Sequence, residues 1–275
     1  MVPTTATPAS SVVETVLGAG LMAGMANVIM QLARPGVGYG VYESPVESGN
    51  VFRHPIKRNR TTLTYLAVAT LGTEQEKKTY REWVNKSHAR VRSTESSPVE
   101  YNAFDPELQL WVAACLYKGF EDVYTIFGGT LDDEAREAIY ASSATLGTTL
   151  QVRPEMWPAD RAAFEEYWST GIEKVRIDST IRDYLYRLAT LRMFPGLVPA
   201  LFGKFNLFVT TGFLPPRFRE EMELAWSDRD QRRFERMMRT IGAVAWRLPG
   251  PVRHFPFNVY LWDMRVRIRL GLPLV

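Results

Sequence analysis

The sequence predicts an all-α fold, and three observations support this class. Apolar residues recur at helical spacing through long stretches of the chain. Helix-capping residues open those stretches, and glycine or proline closes them. No segment shows convincing alternation of apolar and polar residues, a hairpin signal or an internal repeat. We therefore expect about ten helices in a single multi-helix globular domain over residues 11–275, with a central ligand pocket and a disordered arm at residues 1–10.

The composition is that of a folded globular protein and argues against several classes. The chain has 275 residues, and its net charge of +3 comes from acids and bases that are mixed along the sequence. This balance argues against a dedicated nucleic-acid binder, which carries a basic patch or a known module. Cys115 is the one cysteine in the sequence. An internal disulfide framework is therefore excluded, and a reducing, cytoplasmic compartment is the default expectation.

The longest apolar run covers residues 16–33 and is predicted to be a buried core helix. It is barely long enough to span a bilayer, and Asn27, Gln31 and three glycines dilute its hydrophobicity. The residues before it lack the positive charge of a secretory signal. A core helix is therefore preferred to a membrane span.

The other helices follow from caps and breakers taken in chain order. In a capping box, Ser or Thr is followed three residues later by an acid, and the pair satisfies backbone N–H groups at the helix start. Predicted starts are Ser11 with Glu14, Thr61 or Thr62, Thr73 with Glu76, Asp105 with Pro106, Thr130 with Asp133, residues 156–158, residue 179 and Ser227. Predicted ends are Arg34 before Pro35, Gly72, Gly128 with Gly129, Gly147, residue 193, Trp246 and Gly271. Residues 35–50, 93–100 and 249–256 are expected to be loops or linkers.

The apolar and aromatic stretch 194–216 is interpreted as a buried wall of the fold. It contains five phenylalanines and ends in two consecutive prolines. A tunnel for an apolar substrate, lined by these side chains, is the second interpretation. A membrane anchor is less favoured than either.

His88 is the residue that the sequence singles out, because it interrupts an apolar helix face. That face consists of Tyr80, Val84, His88 and Val91. Such a histidine is most often a hydrogen-bonded core residue. With Arg90 and Arg92 beside it, however, the imidazole is also suited to a metal that carries anionic substituents. Haem fits, because its iron takes an axial nitrogen and its propionates pair with arginines. The sequence has no C-x-x-C-H motif, so this haem would be non-covalent.

The stretch 53–60 (RHPIKRNR) places basic residues at a predicted helix start. Cations there oppose the helix dipole. The mismatch indicates an anionic partner, such as acidic side chains, a propionate or a phosphate, although a solvated helix start is the simpler alternative. His54 could act as a second ligand, but an Arg-His-Pro segment is more often only a turn.

Several common catalytic motifs are absent from the sequence. It contains no G-x-G-x-x-G, Walker loop, G-x-S-x-G or H-E-x-x-H. A helical di-iron site needs Glu-x-x-His pairs, yet Val51, Asn85 and Pro251 stand three residues before the three histidines. A haem needs only one histidine from the chain.

Several stretches, taken in order, resemble a known family. They are residues 31–36 (QLARPG), 58–65 (RNRTTLTY), 88–92 (HARVR), 101–106 (YNAFDP) with Trp111, 156–158 (MWP), 213–219 (FLPPRFR) and the basic helix at Arg265. Together they resemble the MpaB-type oxygenases, which are related to the latex-clearing proteins or rubber oxygenases. The similarity extends from about Leu17 to the end of the chain, and it rests on the order and spacing of the motifs.

The resemblance implies an all-helical protein that binds haem b, with His88 as the proximal axial ligand. It also implies that Arg58 and Thr62 lie on the distal or catalytic side, where dioxygen and substrate meet. Latex-clearing proteins have a lysine one residue before that threonine. Here the position is Thr61, so ligation by a lysine is not expected there and the distal side is open or filled by water. Arg90 and Arg92 are our candidates for contacts with the haem propionates.

The sequence thus predicts a haem b-dependent oxygenase that uses dioxygen to oxidise or cleave a hydrophobic small molecule, such as an isoprenoid or lipid. The alternative is a helical protein that carries haem or lipid without turnover. A peripheral membrane contact through the apolar segments and an arginine-rich C-terminal helix is compatible with both. That helix carries Arg265, Arg267 and Arg269.

Overall fold

The chain is helical in the part that the computed structural model describes, residues 18–129 and 131–275, which confirms the all-α class. The α-helices are α1 (Gly24–Leu32), α2 (Pro35–Tyr42), α3 (Pro55–Leu71), α4 (Glu74–His88), α5 (Pro106–Ile126), α6 (Asp133–Ser143), α7 (Thr145–Thr148), α8 (Arg161–Glu173), α9 (Ser179–Ala189), α10 (Val198–Phe213), α11 (Pro216–Glu221), α12 (Asp228–Ala245), α13 (Gly250–Arg253) and α14 (Phe257–Leu270). Short 3-10 helices cover Gly18–Ala23, Glu47–Gly49 and Pro154–Met156. In these residues the one β-type pairing is an isolated bridge between Arg92 and Asn102.

Helix caps lie at several of the predicted positions. Thr73 forms a capping box with Glu76 at the start of α4, and Ser227 forms one with Asp230 at the start of α12. The side chain of Asp105 accepts hydrogen bonds from the first turn of α5. The predicted arm at residues 1–10, the capping box of Ser11 with Glu14 and the cap at Thr130 lie outside the described residues.

Helix α8 begins at Arg161, where the side chain of Asp160 caps it, rather than at residues 156–158, and α13 lies within the predicted linker 249–256. Two further differences arise because proline occupies the first helical position. Residues 35–42 were expected to be a loop, but they form α2. Helix α3 begins at Pro55 rather than at Thr61 or Thr62. Proline at this position has its backbone angle already set for a helix and has no N–H to leave unpaired. Tertiary packing also uses the glycines of α2, since a Cβ on Gly38 would lie 2.5 Å from the Leu32 carbonyl oxygen.

Helix α1 lies in the main hydrophobic core, as predicted for the described part of the apolar run. Ala26, Ile29, Met30 and Leu32 are buried there, and α1 packs against α2, α5, α9 and α10. The indole N–H of Trp111 donates to the Met30 carbonyl oxygen at 3.2 Å. Within the described residues, no helix combines the length and the apolar character needed to cross a membrane.

A second hydrophobic cluster joins α3 and α4 to the C-terminal helix α14. Its buried members include Val68, Tyr80, Phe257 and Met264. The hydroxyl of Tyr80 also donates to the Thr61 carbonyl oxygen at 2.6 Å. This cluster fixes the position of α3 relative to α4, the two helices that carry most of the predicted site residues.

The interpretation of residues 194–216 as a buried wall is correct for one half of α10 and wrong for the other. Val209, Phe213 and Leu214 are buried against the core. Leu197, Leu201, Phe202 and Phe205 are exposed. The C-terminal half packs against Phe234 of α12. In the N-terminal half, Gly203 packs against the backbone of Thr190, but the large apolar side chains named above stay exposed.

Candidate functional site

His88 is the last residue of α4, so the predicted apolar face ends there. Tyr80 is fully buried and Val84 and His88 are partly buried, in agreement with the predicted stripe. Val91 lies beyond the helix, where its N–H donates to the His88 carbonyl oxygen at 2.9 Å. The prediction that Val91 continues the helical face is therefore wrong.

A network of side-chain amides holds the end of α4. Gln151 donates to Asn85, which lies one turn before His88, at 2.6 Å. Gln109 of α5 donates to Gln151 and to the Ala103 carbonyl oxygen, each at 2.6 Å. The next residue, Phe104, meets the imidazole edge to face with ring centroids 6.2 Å apart. The network therefore holds the last turn of α4, and Phe104 packs against the imidazole itself.

The imidazole of His88 is neutral at ordinary pH and lacks a hydrogen-bond partner among the described residues. Its Nδ1 atom is buried without a partner. Burial lowers the pKa of His88 from 6.5 to about 4, and the positive charge of Arg58 acts in the same direction. A buried polar nitrogen without a partner is costly, and a neutral imidazole is the form that ligates metals.

Protein atoms surround the guanidinium of Arg58, and the residue still reaches solvent. Burial lowers the pKa of its guanidinium, whose nearest ionisable neighbours include Tyr184 and Tyr80. Yet the residue is exposed to solvent. Both observations hold if the side chain lines a recess in the protein. Among the described residues, no carboxylate pairs with this guanidinium and none accepts a hydrogen bond from it.

Thr62 lies four residues after Arg58 on α3, so the two side chains share a helix face. Thr62 is exposed, whereas the preceding Thr61 is buried. The Thr61 hydroxyl donates to the Arg58 carbonyl oxygen at 2.9 Å. Thr61 is therefore turned towards the protein interior.

Arg90 and Arg92 lie in the short segment that follows His88, and both are exposed. Arg90 donates to the Pro45 carbonyl oxygen at 3.3 Å. The backbone of Arg92 forms the bridge with Asn102. Neither arginine pairs with a carboxylate in the described residues. By contrast, His54 is exposed and lies 3.6 Å from Glu47, which gives it a partner of its own.

Tyr184 and Phe104 also lie beside the candidate site, although neither was predicted to belong to it. Tyr184 of α9 lies near Arg58 and packs edge to face with Tyr42 and Phe52, at 5.6 and 5.4 Å between ring centroids. No local pattern marks Tyr184, because it reaches the site only through the packing of α9. Phe104 belongs to the stretch YNAFDP, and this motif is the sequence feature that could have indicated its place near the site.

Two surface clefts lie away from His88. One, of about 480 Å³, is lined by residues of α5, α6, α8 and α10, including Glu121 and Asp122. The other adjoins α11 and Trp226. Neither includes His88, so the central ligand pocket stays a prediction. Within the described ranges, no group of three or more His, Cys, Asp or Glu side chains is arranged to hold a metal ion.

Comparison with known proteins places the chain in a family. Residues 15–243 match the family described as "ER-bound oxygenase mpaB/B'/Rubber oxygenase, catalytic domain". The basic C-terminal helix at Arg265 lies beyond that match. Two similar relatives, uncharacterized proteins of Mycobacterium bovis and Mycobacterium tuberculosis, are each 53% identical over 250 residues, which cover 91% of this chain and 98% of theirs. No solved structure matches the chain. The chain therefore belongs to the MpaB and rubber oxygenase family, and it is an oxygenase of the oxidoreductase class.

Proposed function

We propose that this oxygenase uses haem b and that His88 would hold the haem iron. The observation that carries the proposal is the buried, unpartnered Nδ1 of a neutral imidazole beside an arginine without a carboxylate. An imidazole next to uncompensated positive charge suits a metal centre that brings its own anionic groups. The residues present therefore fit haem, and Cys115 is buried in α5 and takes no part.

Three arginines would hold and complement the cofactor. Arg90 and Arg92 follow the ligand directly and have no carboxylate partners in the described chain, so their guanidinium groups are available to the haem propionates. Charge-assisted hydrogen bonds of this kind are stronger than neutral ones. Arg58 and Thr62 are assigned to the catalytic side, where Arg58 supplies a fixed positive charge and Thr62 a hydroxyl donor.

The proposed reaction is the oxidation or cleavage of a hydrophobic small molecule by dioxygen. Bound haem would supply the redox chemistry. The chain would orient the substrate, and Arg58 would stabilise negative charge that develops in the recess. The aromatic side chains of Tyr184, Tyr42 and Phe52 offer an apolar surface next to Arg58 for an isoprenoid or lipid chain. A peripheral membrane contact belongs to the same proposal.

The test is an absorption spectrum of the purified protein after expression with a haem precursor, with a pyridine haemochrome assay for haem b. We expect a Soret band with about one haem per chain, and loss of that band in His88→Ala. His54→Ala is the matched control, because His54 is exposed and paired with Glu47, and its spectrum should be unchanged. A His88→Ala protein that keeps the wild-type spectrum would show that the ligand assignment is wrong.

The rival function is a helical protein that carries haem or lipid without turnover. Oxygen-electrode measurements on the haem-loaded protein separate the two functions. Consumption of oxygen with an unsaturated apolar substrate and a reductant supports catalysis. Stable ligand binding without oxygen consumption supports the carrier.

A further inference from the structure

Most of the large apolar side chains that are exposed in the described residues fall in two segments of the chain. The first segment contains Tyr186, Leu197, Val198, Leu201, Phe202 and Phe205, and the second contains Val244, Leu248, Val252, Phe255, Val259 and Trp262. In α10, Leu201, Phe202 and Phe205 share one face of the helix. Isolated exposed apolar residues need no explanation, but contiguous ones mark an interaction surface.

The same two segments contain no acidic residue. The sequence has no Asp or Glu from residue 184 to 219 or from residue 236 to 262. Cations are present throughout, and Arg192, Lys204 and Arg247 are exposed without a carboxylate partner in the described chain. One other stretch, residues 48–73, is also basic and free of acids, but Ile56 is its one exposed large apolar side chain among the described residues. The exposed apolar side chains of these two segments therefore lie among positive charges that no acidic residue of the same segment balances.

The two segments belong to elements that meet at one short 3-10 helix. Helices α10, α12 and α13 all contact the 3-10 helix Gly18–Ala23, which is only six residues long. Gly18 lies so close to the Phe255 carbonyl oxygen that a Cβ there would be 1.6 Å from it. We name the two segments together, residues 186–205 and 244–262, the apolar-basic face.

We propose that the apolar-basic face docks onto the surface of a membrane that contains anionic lipids. Aromatic side chains such as Phe202, Phe205 and Trp262 suit the boundary between headgroups and acyl chains. Neighbouring Lys and Arg side chains suit negatively charged headgroups. The arginine-rich helix α14 is a weaker candidate, because Arg265 pairs with Glu76 and Arg267 pairs with Asp263.

The face adjoins the helix that reaches the candidate site. Helix α9 carries Tyr184, and the amide of Asn206 in α10 donates to the Ala189 carbonyl oxygen at the end of α9. An apolar substrate dissolved in a bilayer would thus enter close to the recess at Arg58. The inference rests on the proposed membrane contact but not on the cofactor, so each test can fail without affecting the other.

The test is sedimentation of the full chain with vesicles of phosphatidylcholine, alone or mixed with phosphatidylserine. We expect binding to the mixed vesicles that weakens with added salt. The triple variant Leu201→Gln, Phe202→Gln, Phe205→Gln should reduce the partition coefficient by about tenfold or more. These residues are 66%, 55% and 49% exposed, so the variant should fold, which circular dichroism checks. Lys204→Glu should weaken binding to the vesicles that contain phosphatidylserine and leave binding to pure phosphatidylcholine vesicles unchanged.

The matched control is Ile56→Gln, Leu270→Gln, Leu272→Gln, which removes exposed apolar residues outside the face and should bind as the wild type does. Loss of binding in the control but not in the triple variant would overturn the proposal in favour of the C-terminal helix. Equal binding by all proteins, or no binding to either vesicle, would also overturn it. So would a dimer that dissociates in the triple variant without any vesicle binding, because a second copy would then be the occupant of the face.

Discussion

Two regions of the molecule hold ionisable side chains in confined surroundings, and they differ in how their charges are balanced. In the cleft between α5, α6 and α8, Glu121 accepts from Lys118 at 3.2 Å and lies 3.6 Å from Arg136 and 3.5 Å from Arg161. At the end of α4, His88 has no hydrogen-bond partner and Arg58 has no counter-ion within the described chain.

The two regions also differ in whether a buried charged group without a partner can become neutral. Burial raises the pKa of Asp122, in the cleft, to about 6, although the charge of Lys118 acts in the opposite direction. This carboxyl can become neutral by taking up a proton. Arg58 cannot become neutral, because guanidinium stays protonated in proteins. The cleft is thus a balanced network, and the His88 region needs something from outside the protein, either water or a ligand.

The largest expected effect is that a substitution at Arg58 lowers activity but not stability, whereas a substitution at Arg161 lowers stability but not activity. Arg58→Met should lower kcat by about a hundredfold, the usual cost of removing a preorganised electrostatic group. The same change should leave the apo protein at least as stable as the wild type, because it removes an uncompensated charge. Arg161→Met should leave kcat unchanged and lower the free energy of unfolding by about 2 kcal/mol, since Glu121 loses a partner. Steady-state kinetics and urea unfolding of both variants measure these effects.

The comparison would fail if Arg58→Met destabilised the apo protein as much as Arg161→Met does. Arg58 would then be a structural residue with a partner in the folded chain. Loss of turnover in Arg161→Met at unchanged stability would point to the cleft as the catalytic region.

The second effect is a pH dependence of stability caused by His88. Its pKa is about 4 in the folded apo protein, against the ordinary histidine value of 6.5, so the unfolded chain takes up the proton first as the pH falls. The stabilising contribution is complete above pH 6.5 and is lost as the pH falls towards 4. We expect a loss of about 2 kcal/mol after allowance for partial exposure. Urea unfolding of the apo protein between pH 4 and 7 measures this loss. In His88→Gln, the free energy of unfolding should fall less steeply with decreasing pH.

The smallest effect has the opposite sign and belongs to the cleft. The pKa of Asp122 is about 6 in the folded protein, against the ordinary aspartate value of 3.8, so its ionisation destabilises the fold as the pH rises from 3.8 through 6. Asp122→Asn should therefore raise the free energy of unfolding by about 1 kcal/mol at pH 8 and have little effect near pH 4. Glu165→Gln, at the same cleft but more exposed, is the matched control. If Asp122→Asn lowered stability at pH 8, the carboxylate would have a stabilising partner.

Sequence reasoning reached the parts of the site that depend on local spacing. The capping box at Thr73 fixes where the helix of His88 begins. Arg58 and Thr62 came from the family resemblance, and they share a helix face only because α3 begins at Pro55, before the predicted start. The glycine-rich segment 35–42 was wrongly expected to be a loop, since propensity disfavours glycine in helices and close packing against neighbouring backbone overrides that preference. Tyr184 could not be predicted, because its place beside Arg58 depends on how α9 packs.

The sequence by itself determined the helical class, the main caps, the core helix α1 and the family, because each depends on residue spacing along the chain. Only the tertiary structure decided that Arg58 lies near enough to lower the pKa of His88 and that it has no carboxylate partner in the described chain. The same holds for the exposed half of α10, whose apolar pattern looks identical in sequence to a buried one. Burial and charge compensation depend on which elements come to lie beside a side chain, and those neighbours are distant in sequence.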